Sequence, residues 1–211
     1  MPINLFHRKP VESAPDGDVT VYLLVGLGNP GREYRTSRHN AGFMVIDQLA
    51  ADLGVKLTRV QNRALTGSGV MGGAKIVLAK PQTFMNLSGE SVSGLVRFYK
   101  IPHEHLMVIH DDIDLPFGVL RLRPGGGSAG QKGVQSIIER IGSQDFPRLR
   151  IGIGRPAGSR GGAGYVLQHF HAEEQKELPF LLDAAAAAVR LFVTDGLEAA
   201  MNRYNGSLLE E

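Results

Sequence analysis

Residues 21–42 read VYLLVGLGNPGREYRTSRHNAG, and the order of residue types in this stretch decides the fold class. The apolar opening, 21–25, lacks polar alternation, the pattern of a strand buried on both faces rather than one with a wet face. The glycines then let the chain turn tightly and Pro30 stiffens the turn. Asn29 is thereby held at a strand's carboxyl end, where open α/β sheets bind ligands. A basic polar loop follows, delivering His39 and Asn40 just ahead of Phe43, Ile46, Ala50 and Leu53. The recurrence of those four predicts one face of a helix ending near Gly54. His39 thus falls beside a helix N-terminus, where the dipole favours the neutral, basic form of an imidazole. A histidine there can equally be a cap or a surface residue. The string Gly26-Leu27-Gly28-Asn29-Pro30-Gly31 also fits a dinucleotide fingerprint, but that fingerprint opens a helix at once, whereas 32–38 are polar and aperiodic.

Further strand-to-helix junctions follow the same plan. Residues 65–80 predict two strands joined around Gly72 and Gly73, and the loop after Pro81 carries Phe84, Met85 and Asn86. Ser88 is then placed to cap a helix bearing Val92, Leu95, Val96 and Tyr99. A Phe-Met pair is ordinary core filling, but an amide flanked by apolar residues must find partners or serve a substrate. A third buried strand, 106–109, runs into His110-Asp111-Asp112-Ile113-Asp114. Such an acid cluster suits magnesium, which takes oxygen ligands, or simply a turn ahead of Pro116. Residues 119–123 alternate and put Arg121 and Arg123 on one face. The glycine-rich loop 125–133 then enters a helix with Val134, Ile137, Ile138 and Ile141, offering N–H groups and a dipole to an anion or carbonyl. Residues 148–154 predict the last clear strand, with Arg150 near its start, and 155–164 form a loop able to act as a lid. Helix follows over 173–193, where an alanine run is good helix former and carries no chemistry, and again through Met201 and Tyr204.

The whole predicts an α/β fold: a single-domain three-layer sandwich with a mixed, mostly buried sheet covered by helices on both faces. At 211 residues the chain suits one domain, expected over 19–205, with a mobile extension at 1–18 and a tail at 206–211. There is no cysteine, so neither a disulfide framework nor a thiolate metal site is available. No apolar run reaches the roughly 18 residues of a membrane span, and 1–18 lack the apolar core of a signal peptide. The net charge is only +2 but unevenly spread. Over 120–160, eight basic residues (Arg121, Arg123, Lys132, Arg140, Arg148, Arg150, Arg155 and Arg160) face Glu139 and Asp145, whereas acids dominate from Phe170 onward. A basic middle suits a phosphate-rich partner, although an ordinary solvated surface can look the same.

The block 29–42, of the form NPGxxYxxxRHNAG, resembles the opening motif of bacterial-type peptidyl-tRNA hydrolases. So do 83–89 (TFMNLSG), 110–116 (HDDIDLP) and 148–154 (RLRIGIG), four ordered blocks in one chain. The resemblance implies hydrolysis of the ester that joins a peptide, or an N-blocked amino acid, to tRNA, in a cytoplasmic monomer without cofactor or metal. It implies His39 as the base on water, Asp111 as its hydrogen-bond partner, and Asn86 binding the substrate and polarising its carbonyl. By the same resemblance Asn29 separates blocked from free aminoacyl-tRNA. Tyr34 and Phe84 contact the tRNA end or the adjoining peptide, and Arg123 and Arg150 hold the tRNA 5′-phosphate. Most of the family has His-Asn where this chain has Gln131-Lys132. Lys132 keeps the substrate-contacting position but replaces a carboxamide with a cation, a departure that a catalytically weak RNA-binding relative would also show.

Overall fold

Strand β1, Val21–Gly26, lies in the middle of the molecule, and its side chains alternate between two cores. Leu24 packs with one apolar cluster, Leu23 and Val25 with the other, which explains why the segment is apolar at every position. A computed structural model describes residues 19–155 and 162–208. The extension expected at 1–18 and residues 156–161 of the expected lid lie outside the described residues.

After β1 come α1 (Ala41–Asp52), β2 (Arg59–Gln61), β3 (Ala64–Met71), β4 (Ala74–Pro81), α2 (Ser88–Tyr99) and β5 (Leu106–Asp112). The chain continues through β6 (Val119–Arg123), α3 (Lys132–Ile141), β7 (Arg148–Gly152), α4 (Gly162–Val166), α5 (Ala172–Asp195), α6 (Leu197–Tyr204) and β8 (Gly206–Ser207). The eight strands form one sheet in the order β2-β3-β4-β1-β5-β7-β6-β8. Its centre is parallel, with β1 paired to β4 and β5, and β5 to β7; the flanking pairs are antiparallel. One face packs against α1, α5 and α6 through residues such as Ile46, Val189 and Ala200. The other packs against α2 and α3 through Val92, Leu95, Val134 and Ile137. The expected three-layer α/β architecture is therefore what forms.

Several details differ from the sequence reading. Ser88 opens α2 but does not cap it: Leu87 holds the cap position, and the Ser88 hydroxyl is buried without a partner. A short 3-10 turn, Met85–Leu87, leads directly into α2, so the chain is already wound before Ser88. Strand β5 runs on through Asp112, so His110, Asp111 and Asp112 belong to the sheet and only Asp114 lies in the turn. Gly206 and Ser207 pair with Leu120 and Val119 at the sheet edge. His171, which sequence left without a role, caps α5, its N–H donating to Glu174 Oε2 (2.7 Å).

Candidate active site

The parallel strands β1, β4 and β5 end side by side, and the turns beyond them converge. After β1, the Asn29 N–H donates to Asn40 Oδ1 (2.9 Å) and Asn40 Nδ2 donates back to the Asn29 carbonyl (2.9 Å). That exchange locks the first turn to the 3-10 turn Arg38–Asn40, which carries His39. Asn29 Oδ1 also accepts the Met85 N–H (2.8 Å), fastening the segment after β4 to the same point. With Oδ1 and the main chain committed, Asn29 Nδ2 is the donor left for the cleft beside it.

His39 Nδ1 lies 2.9 Å from Asp111 Oδ2, and both are largely shielded from solvent. The other carboxylate oxygen, Asp111 Oδ1, accepts from Gln131 Nε2 (3.0 Å). Asp111 thus engages Nδ1 of the ring, and the opposite nitrogen, Nε2, is left out of that contact. These groups border a cleft of about 600 Å³ that Asn29, Phe84, Asn86 and Lys132 also line. Phe84 is 62% exposed, and Asn86 and Lys132 stand open to solvent as well. An exposed phenyl ring, two carboxamides and a cation around an acid-paired imidazole can bind a planar ring, hold a carbonyl and activate water.

The neighbouring acids look elsewhere. Asp112 Oδ2 accepts from Arg150 Nε (2.5 Å), and Asp114 Oδ1 accepts from Arg155 Nε (2.8 Å). The run that reads as a possible cation site in sequence is thus divided among three different basic partners.

A second cavity, about 260 Å³, adjoins the cleft through Ala129 and is lined by Arg123, Arg148, Arg150 and the glycine-rich loop. Arg123 and Arg148 are register partners on β6 and β7, and both border this cavity. Burial, then the charge of Arg150, brings the Arg148 pKa down to about 10, so it remains a cation at neutral pH. Its guanidinium donates to the carbonyls of Gly127 (2.6 Å) and Gln144 (3.1 Å), holding the glycine loop in place. His110 also borders this cavity; its Nδ1–H donates to the Asp111 carbonyl (2.8 Å), and burial lowers its pKa.

The structure brings His39, Asp111, Asn29, Phe84, Asn86 and Lys132 to one cleft and Arg123 and Arg150 to the cavity beside it. Tyr34 belongs to neither lining; it ends the 3-10 turn Arg32–Tyr34, half-buried. Arg150 is not a free cation, since Asp112 holds it. Nor is the N-terminus of α3 free for an anion, because Gln131 Oε1 occupies the N–H groups of Gly133 (2.6 Å) and Val134 (2.9 Å). Sequence reasoning gave no role in the site to Asn40, Gln131, Arg148 or Arg38. A period-2 reading puts Arg148 on the same face of β7 as Arg150, so that residue was within reach. Arg38 was not. It is fully buried, bonded to Glu174 (2.8 Å) and stacked on Tyr165 (4.4 Å), which secures the turn bearing His39 to α4 and α5.

Comparison with known proteins agrees with this geometry. A sequence model of the family described as peptidyl-tRNA hydrolase matches residues 23–211. The peptidyl-tRNA hydrolase of Moorella thermoacetica is 52% identical over 187 residues, covering 88% of this chain and 98% of the relative. The chloroplastic peptidyl-tRNA hydrolase of Arabidopsis thaliana is 51% identical over 87% of this chain, and the chain spans 64% of that longer protein. The crystal structure of peptidyl-tRNA hydrolase from Acinetobacter baumannii superposes with a TM-score of 0.84 at 39% identity, covering 90% of this chain and 98% of that one. With its cleft, its acid-paired histidine and these likenesses over nearly its whole described length, the chain belongs to the peptidyl-tRNA hydrolase family.

Proposed function

We propose that this chain hydrolyses the ester of peptidyl-tRNA, freeing tRNA for reuse in translation, with His39 as general base. The observation that carries the chemistry is the 2.9 Å contact between His39 Nδ1 and Asp111 Oδ2 at the wall of an open cleft. Nε2 of His39 takes a proton from water as the water oxygen bonds to the ester carbonyl carbon. Asp111 stabilises the imidazolium that results. Collapse of the tetrahedral intermediate breaks the bond to the ribose oxygen, which leaves with the proton returned by His39. An ester is reactive enough for water and a placed base, and the chain has no cysteine to act as nucleophile.

Around that centre the other residues have distinct tasks. Asn86 and Lys132 polarise the carbonyl and face the developing oxyanion. Asn29 Nδ2, a donor, pairs with the carbonyl of a blocked amino group and gains nothing from a free ammonium, which has no acceptor to offer. Phe84 offers its face to the terminal adenosine or the first peptide side chain. Arg123 and Arg150, together with Arg148, receive the 5′-phosphate in the adjoining cavity. Tyr34, outside both linings, is left to contact more distant parts of the tRNA. This reading takes the enzyme to be a cytoplasmic monomer, and it needs no metal, since each nearby acid already has a basic partner.

The test is ester release from an N-acetylated aminoacyl-tRNA, run with and without exhaustive chelation. His39→Ala should lower kcat by about 10²-fold or more with the fold intact, and chelation should leave the parent protein active. Near-parental turnover in His39→Ala would remove the base, and activity lost to chelator and restored by magnesium would remove the metal-free chemistry.

A further inference from the structure

The proposed base is supported from a direction the motif does not suggest. Gln131 is the residue before α3, 9% exposed, and all of its polar atoms are committed. Oε1 accepts two main-chain N–H groups of the first turn of α3, from Gly133 (2.6 Å) and Val134 (2.9 Å). An oxygen is required there, so the orientation of the amide is determined by the helix and Nε2 must be the atom turned toward Asp111. Nε2 donates to Asp111 Oδ1 (3.0 Å), leaving Oδ2 to His39. The main chain of one helix thereby settles the amide, the amide settles the rotation of the carboxylate, and the carboxylate settles which ring nitrogen of His39 is engaged.

We propose that Gln131 is a positioning residue of the hydrolysis, holding Asp111 in the one rotation that serves His39. The proposal rests on the reading of His39 as base and adds a residue to it. It also turns around the departure at 131: an imidazole, usual in the family, and a carboxamide can each present an acceptor to α3 and a donor to Asp111 from opposite edges. A glutamate can offer the acceptor but no donor when ionised. A methionine of similar length offers neither.

The readout is the pH dependence of kcat. Without the donated hydrogen bond the Asp111 charge is directed at His39 alone, which favours the imidazolium and removes the base at a higher pH. In Gln131→Glu the added negative charge acts in the same direction. Among the described residues, the other charged groups bordering the cleft are Asp112 and Asp114 on and after β5, Lys132 on α3 and Arg155 after β7, and all are the same in every variant.

Measured with N-acetylated aminoacyl-tRNA, Gln131→Glu and Gln131→Met should each lower kcat about tenfold or more and move the acid limb up by about one pH unit, the scale of a hydrogen bond to a charged group. Gln131→His should bring the acid limb back toward the parent. A residue that merely caps α3 would lower activity evenly at all pH values and leave the limb in place. Acid limbs in Gln131→Glu and Gln131→Met that coincide with the parent would overturn the proposal, as would a Gln131→His variant shifted as far as they are. Should Gln131→Glu not fold, the Met and His variants decide. His39→Ala in the same assay keeps the two ideas apart: retained turnover there defeats the base, whereas dependence on His39 with unmoved limbs defeats only the role of Gln131.

Discussion

Arg123, Arg148 and Arg150 show how differently three similar side chains are placed. Arg123 is exposed at the end of β6, Arg148 is buried and bonded to two carbonyls, and Arg150 is paired with Asp112. Arg123→Ala is therefore the clean test of phosphate binding, because it frees no buried partner. It should raise KM for full-length substrate severalfold, change short esters little, and lose its effect as salt rises. Arg150→Ala should show the same KM effect plus a loss of stability on the order of 3 kcal/mol, since Asp112 is left buried and unpaired. Lys132→Asn should alter short and long substrates alike, because that side chain lines the cleft itself. A salt-independent loss shared by both substrate lengths in Arg123→Ala would move Arg123 out of the phosphate site; an effect of Lys132→Asn confined to long tRNA would take Lys132 away from the ester.

At the scale of elements, the decisive contact is between the main chains of β1, β5 and α1. A Cβ on Gly26 would lie 2.1 Å from the Gly42 carbonyl oxygen, and one on Gly42 would lie 2.3 Å from the Ile109 carbonyl oxygen. Both neighbours are backbone, so neither can yield cheaply. The first turn of α1 thus lies directly on the strands, which brings the turn carrying His39 within hydrogen-bond distance of Asp111 on β5. Gly42→Ala should cost about 1–3 kcal/mol of stability and reduce kcat out of proportion to the folded fraction, as the helix is pushed away from β5. Thermal unfolding together with turnover of the folded enzyme checks this. A stable Gly42→Ala with parental kcat would show that the helix has more room than the contact distances allow.

At the scale of the molecule, two cores meet at the central strands, and polar groups there are shut away from water. His110, 2% exposed on β5, is the clearest case. Burial lowers its pKa below the ordinary 6.5, with the neighbouring Asp111 and Asp112 acting in the opposite sense and Arg148 reinforcing the shift. The unfolded chain then binds a proton that the folded one refuses, so stability falls as pH drops below about 6.5. The slope from this residue reaches at most about 1.4 kcal/mol per pH unit. His110→Asn should flatten the stability profile between pH 6.5 and 5 in denaturant titrations. An unchanged slope would assign the acid sensitivity of that range to other groups, and not to Glu174, which acts at lower pH. There burial resists ionisation, but the hydrogen bonds from Arg38 and the His171 N–H prevail and the net pKa is lowered, so its contribution is present above the ordinary carboxylate pKa and lost as pH falls through the lowered one.

The amino-acid order by itself determined the strand-and-helix alternation, both junctions that carry Asn29 and Asn86, and the pairing of His39 with Asp111 through family resemblance. These were legible because burial imposes local periodicity: β1 is apolar throughout since both its faces are covered, and α1 repeats at helical spacing since one of its faces is. Only the tertiary structure decided where each polar side chain spends its hydrogen bonds. Nothing local marks Gln131 as the partner of Asp111, twenty residues away in sequence, or Arg38 as the partner of Glu174, 136 residues away. A helix N-terminus preceded by glycines looks open to an anion in sequence, yet the amide beside it closes that site and turns to the carboxylate instead. Side-chain partners are chosen by distance in space, and buried groups must take whichever partner folding brings within reach.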